Sequence, residues 1–152
     1  MNSKISYTLK ITVIQLRRPL WRRLLVPSDI KLPRLHSVIQ IVTGARSSLQ
    51  HFFIDSQKTV YADPSWEDLP RVISGRDVSL ATLLKRPGDR LTYYSGDDHE
   101  WEHTVELVKI TGNAARPRRA VCVAGNGPGK HAGRNGAFPV SVLNRALHQV
   151  RV

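Results

Sequence analysis

An α+β domain is the fold class that the sequence predicts: a mostly antiparallel sheet, one main helix at about residues 33–43 packed on it, and a C-terminal helix. Three observations predict it. Apolar and polar residues alternate over residues 5–16, the period of a half-buried strand. The period becomes helical between Pro33 and Val42. Strand-like runs mix with two main amphipathic stretches along 152 residues, a length that suits a single domain, 1–152, with its own core.

The elements follow in order. In ISYTLKITVIQL (5–16), Tyr7, Leu9, Ile11 and Val13 fall on one face and Thr8, Lys10 and Thr12 on the other. Arg17-Arg18-Pro19 breaks the strand, because proline removes a ladder donor. LWRRLLV (20–26) reads as a strand returning beside the first, and Pro27 closes it. Leu35, Val38, Ile39 and Val42 recur at helical spacing; Pro33 suits the first turn and Gly44 the stop. HFFI (51–54) is a short apolar strand. Residues 55–78 carry Pro64, Pro70 and Gly75 and read as loop with at most a turn of helix. SLATLLK (79–85) is a short helix ended by Pro87-Gly88, and RLTYYS (90–95) a strand by composition. In WEHTVELVKI (101–110), Trp101, His103, Val105 and Leu107 share one strand face, and Glu102, Thr104, Glu106 and Val108 the other. TGNAARPRR (111–119) is a basic loop and AVCVA (120–124) a small-residue strand. Residues 125–136, with five glycines in twelve, cannot be regular. Val140, Leu143, Leu147 and Val150 form the stripe of the closing helix. The early strand–strand–helix–strand order is that of a grasp-like arrangement.

Charge is the strongest global signal. Lys and Arg number 23 against 12 Asp and Glu, a formal net charge of +11. Residues 1–28 hold six bases and no acid, and residues 107–152 eight bases and no acid. Five of the twelve acids crowd into one stretch: Asp97, Asp98, Glu100, Glu102 and Glu106. If the termini meet, they make a basic face that attracts phosphate backbones or acidic proteins. No apolar run approaches the roughly 18 residues needed to span a bilayer, and residues 1–16 lack the layout of a signal peptide. One cysteine, Cys122, allows no internal disulfide and no Cys-rich zinc site, so a reducing cytoplasm is expected.

Three stretches invite a catalytic reading. HEWEH (99–103) spells H-E-x-x-H, the zinc-hydrolase pattern. Chelation by that pattern needs a helix, where residues four apart share a side. In a strand, positions 99 and 103 stand about 13 Å apart. The pattern runs straight into TVELVKI, with β-branched residues at period two, so a strand is expected and no zincin site. A looser metal site would join His103 and His99 to Asp97, Asp98 or His51; the plainer reading is an acidic turn before a strand. AGNGPGKH (124–131) resembles a phosphate loop but has Ala124 for the first glycine and His131 for the magnesium-holding hydroxyl. Its Lys130 and Arg134 can still present charge to phosphate. Cys122, between Val121 and Val123, reads as an inert core thiol rather than a nucleophile. Trp21, beside Arg22 and Arg23, is either a stacking platform with phosphate clamps or a core residue with both arginines on a wet face.

Taken together, the segments resemble one family. YTLKITVIQLRRPLWRRLLVPSDIKLPRLHSVIQIVTG is similar to the opening of the plasmid pRiA4b ORF-3-like proteins: a strand, a Pro–aliphatic–Trp–Arg–Arg element, a Val-Pro step and a helix carrying Leu-His. Pro19, Trp21, Arg22, Arg23, Val26, Pro27, Leu35 and His36 fit those places. SLQHFFI, with Phe52, resembles the family's His-Leu-His-x-Phe strand. The segments with Asp97 and Asp98, with Trp101, Glu102 and His103, and with Cys122 and Gly125 resemble its later motifs. The resemblance implies an α+β domain of bacteria, often linked with plasmids and transposons, and implies no particular activity. The chain departs from the pattern at Ser48 and Gln50, in an apparent insertion that includes His99, and in Gly129-Lys130-His131, where the family is acidic. These departures remove polar residues and add positive charge.

The expectation is therefore a small basic binding module without catalysis, cofactor or metal, engaging nucleic acid through Arg17, Arg18, Arg22, Arg23, Arg116, Arg118 and Arg119, with Lys130 and Arg134. The alternatives are an accessory protein that meets an acidic partner or a second copy of itself, and a divergent enzyme using Asp97, Asp98, Glu102 and His103.

Overall fold

The computed structural model describes residues 5–14, 20–44, 51–62, 72–95, 101–112, 120–126 and 140–148. Within these residues eight strands form one sheet: β1 (Ser6–Val13), β2 (Leu20–Pro27), β3 (His51–Ile54), β4 (Val60–Ala62), β5 (Val72–Ser74), β6 (Arg90–Ser95), β7 (Trp101–Thr111) and β8 (Val121–Asn126). Among the described residues three helices accompany it: α1 (Leu32–Val42), α2 (Leu80–Leu83) and α3 (Val140–Leu147). Across the sheet the order is β5-β4-β3-β6-β7-β1-β2-β8.

This corrects the predicted fold class. The molecule is dominated by one eight-stranded sheet, and the sheet is mixed, because β4 and β5 run parallel. The helices are small, of eleven, four and eight residues, so the chain is not an α+β domain organised around one main helix. The loop expected over 55–78 holds two of the strands, each three residues long. A three-residue strand is too short to show period two, so nothing in its composition announces it. The grasp-like arrangement is corrected as well: a grasp sets a later strand parallel beside its first, whereas β1 is flanked by β2 and β7, both antiparallel to it.

The central pairings follow from the alternation. β1 runs antiparallel to β2 from Ser6↔Pro27 to Val13↔Leu20, and antiparallel to β7 on its other side. Leu9, Ile11, Leu24, Val105 and Leu107 therefore point to one face, where they meet Leu35, Val38, Ile39 and Val42 of α1 in the core. Pro33 stands at the start of α1 and Gly44, with φ +70°, just past its end. Two β-bulges, at Val108 on β7 and Val123 on β8, each place an extra residue opposite β1 or β2. α3 leans on the edge strand β8: the Asn144 amide accepts from Cys122 N (2.6 Å) and donates to Cys122 O (2.9 Å). One side chain thus occupies a ladder position at a sheet edge that otherwise invites a further strand.

Candidate functional site

The sheet face opposite α1 carries side chains that are half-buried or exposed: Thr8, Lys10 and Thr12 on β1, Trp21, Arg23 and Leu25 on β2, Glu102, Thr104 and Glu106 on β7. Register sets them in rows. Thr92, Thr104, Thr12 and Trp21 lie side by side across β6, β7, β1 and β2. One step along, Arg90, Glu106, Lys10 and Arg23 do the same. Arg90 pairs with Glu106 at 3.5 Å. Lys10 and Arg23, directly opposite each other, both reach over the Trp21 ring, at 5.3 and 5.9 Å from its centroid. Like charges in direct cross-strand register repel; the negative face of the Trp21 ring, which both cations approach, offsets that repulsion. Farther across the same face Phe52 stacks on Tyr94, centroids 4.9 Å apart. Burial, followed by the Glu102 carboxylate, raises the Tyr94 phenol above its ordinary value.

Arg22 has the opposite fate. It is only 2% exposed and points to the core face. Its Nε donates to Val42 O (2.9 Å), and its Nη1 to Trp21 O (2.9 Å) and Asn126 O (2.8 Å). Burial lowers its pKa, with the Cys122 thiol acting in the other direction. Gly125 makes room for it, since a Cβ there would lie 2.7 Å from Arg22 Cδ and 3.0 Å from Trp21 O. The assignment of Arg22 as a phosphate contact is thus corrected: period two turns it inward with Leu20 and Leu24. Trp21, for its part, is not the core residue of the alternative reading. Of the remaining predicted contacts, Arg23 lies on the open face, while Arg17, Arg18, Arg116, Arg118, Arg119, Lys130 and Arg134 lie outside the described residues.

The catalytic motifs resolve differently. Residues from Trp101 onward are extended in β7, so the helical geometry of an H-E-x-x-H chelate does not form around His103; His99, Glu100, Asp97 and Asp98 lie outside the described residues. His103 is fully buried, and its Nδ1 donates to Tyr93 O (3.0 Å). The Cys122 thiol is buried, and burial raises its pKa despite the opposing charge of Arg22. Among the described residues no group of three or more His, Cys, Asp or Glu is placed to hold a metal ion, and no helix is long and apolar enough to cross a membrane.

One polar cluster is not announced by the sequence. His36 from α1 stacks on His51 from β3, with centroids 3.6 Å apart and ring planes 10° from parallel. The buried Tyr93 hydroxyl accepts from Gln40 Nε2 (2.9 Å) and hydrogen-bonds His36 Nδ1. Burial raises the Tyr93 phenol well above its ordinary value, against hydrogen bonds from Gln40 and Ser95. His36, His51 and Tyr93 are far apart in sequence and no spacing motif links them; the sequence marks His36 only within the Leu-His element and His51 only as a candidate of a looser metal site.

Comparison with known proteins places this geometry. A protein of unknown function from Methanosarcina mazei Go1, MM3350, has a crystal structure that matches 98% of this chain and 82% of its own, with a TM-score of 0.72 at 19% identity, which shows a shared fold. The uncharacterized protein y4hQ of Sinorhizobium fredii is 33% identical over 103 residues, 66% of this chain. The match spans about half, 52%, of that relative's length. The sequence profile of the plasmid pRiA4b ORF-3-like proteins matches residues 5–137, and with nearly the whole chain covered the protein belongs to the plasmid pRiA4b ORF-3-like family.

Proposed function

We propose that this chain binds single-stranded nucleic acid on the open face of its sheet. The observation that carries the reading is Trp21 with Lys10 and Arg23 over its ring. An aromatic flanked by cations offers a base a stacking surface and its phosphates two charges. Tyr94 and Phe52 supply a second aromatic surface roughly 16–20 Å away, three and four interstrand steps across the sheet and two residues along it, beyond the Thr12–Thr104–Thr92 row. Sheets that stack two or three bases on exposed aromatics are a recurrent mode of single-strand recognition. Glu106 is paired with Arg90, on the side away from β2, so the phosphates run along β1 and β2. The net charge of +11 favours any polyanion and makes the interaction salt-sensitive.

Fluorescence anisotropy against labelled single-stranded DNA, RNA and duplex DNA, at several salt concentrations, tests this. Single strands should bind more tightly than duplex. Trp21→Ala should weaken binding by roughly 5- to 100-fold, the worth of one base stack. Neutralising Lys10 and Arg23 should reduce the salt slope by about 0.7 for each phosphate these side chains neutralise. Preference for duplex, or indifference to Trp21→Ala, would sink the proposal. No binding even at low salt would direct attention to an acidic protein as the partner of the same face.

A further inference from the structure

On the other side of the sheet, near its β5 edge, the first turn of α1 and the β3–β4 hairpin leave a cavity of about 190 Å³. Leu32, Pro33, Phe53 and Tyr61 give it apolar walls, and His51 and Arg76 are its charged or polar members. The cavity opens to solvent beside exposed Arg76 and half-buried His51, so a small ligand can reach it. Its wall is also built. The His51 ring is backed by the parallel ring of His36, which is bonded to the buried Tyr93 hydroxyl held by Gln40. The Tyr61 hydroxyl is tied to Asp55 Oδ2 at 3.3 Å, so that ring is fixed as well.

Size narrows the ligand. A cavity of about 150 Å³ accepts benzene, and pockets for drug-sized molecules begin at about 300 Å³. The space therefore suits a body of one ring, and a nucleotide or larger cofactor does not fit within it. Chemistry narrows it further. The walls favour an apolar body, and an exposed guanidinium with an imidazole favours an anionic head. We propose that this cavity binds a small monocarboxylate with an apolar body of one ring's size, the body against Leu32, Phe53 and Tyr61 and the carboxylate facing His51 and Arg76. The site is separate from the sheet face proposed for nucleic acid, and neither proposal depends on the other.

Benzoate is the probe. Titrated into the full chain and followed by NMR, it should give saturable shifts in the signals of His51, Phe53 and Tyr61. Neutral benzamide should bind at least about tenfold more weakly, and Arg76→Gln should weaken benzoate by roughly tenfold, the effect of one charge-assisted hydrogen bond. A Cβ at Gly75 stands 3.4 Å from Leu32 Cδ1 and 3.6 Å from Tyr61 Cβ, so Gly75→Val fills the space and should abolish binding. A thermal melt of each variant confirms the fold, and the exposed Arg76→Gln keeps the test decisive if Gly75→Val does not fold. No saturable shift with benzoate overturns the proposal. So does equal binding of benzamide, which would leave an apolar cavity without an anion site.

Discussion

Arg22 and Arg23 are identical side chains one residue apart, and their surroundings assign them different work. The Arg22 guanidinium bonds carbonyls from the end of α1, from β2 and from β8, so one cation ties three elements together. Val42 O lies in the last turn of α1, which has no basic residue of its own. Arg22 supplies the positive charge that the negative end of a helix favours. Replacing it with methionine leaves buried carbonyls without a donor and should cost about 2–4 kcal/mol. Arg23→Met should change stability by no more than about 0.5 kcal/mol, as surface substitutions do, while weakening the nucleic-acid binding proposed for the open face. Urea unfolding of the two variants separates them; equal losses would contradict the assignment. This difference was legible in β2, where Leu20, Arg22, Leu24 and Val26 share one phase of the alternation. The general rule that arginine is almost never fully buried concealed it. Only the structure could show the Gly125 backbone, roughly a hundred residues on, making room for that side chain.

At the scale of elements, what the sequence displays depends on length and pairing. β1, β2 and β7 are long enough for the alternation to repeat three or four times, and each lies where that alternation predicts. β4 and β5 are held by their neighbours. Their pairing is backed by a turn in which Gly75 N donates to Ala62 O and Val78 N to Gly75 O, bonds that no local pattern encodes. The histidine cluster was hidden for a similar reason, since His36 and His51 come from elements whose meeting depends on the sheet order. Asn144 shows how an edge is closed with a single residue. Substituting Asn144 by alanine removes both bonds to the Cys122 backbone and should destabilise the protein by about 1–3 kcal/mol. The same change should speed hydrogen exchange at the Cys122 amide far more than at Leu9 or Ile11 in the sheet's centre. Uniform acceleration across the sheet would mean that α3 stabilises the whole molecule and does not guard its edge.

Over the whole molecule, charge and burial set opposing dependences on solution conditions. A net charge of +11 on 152 residues repels itself, so added salt should stabilise the fold while weakening any grip on nucleic acid. Alkaline pH acts through the interior. Tyr93 is buried beneath α1, and the Tyr7 hydroxyl, also buried, donates to Leu84 O at 2.7 Å. Burial raises both phenols above the ordinary value of 10.0, with Asp89 adding to the rise at Tyr7. Cys122 is raised from 9.0 for the same first reason. Each group keeps its proton in the folded state at a pH where the unfolded chain has released it. The unfolded state then binds fewer protons, and stability falls as pH rises. The contribution is intact below about pH 9 and is lost from there upward, first through the thiol and then through the phenols. Each group adds a slope of up to about 1.4 kcal/mol per pH unit. Urea midpoints measured from neutral pH to strongly alkaline solution should trace this decline. Tyr7→Phe, which deletes one of the three groups, should make the decline shallower by about one group's slope. An unchanged slope in that variant would show that Tyr7 ionises as readily in the fold as outside it, and that its bond to Leu84 does not hold the helix α2 end against the sheet.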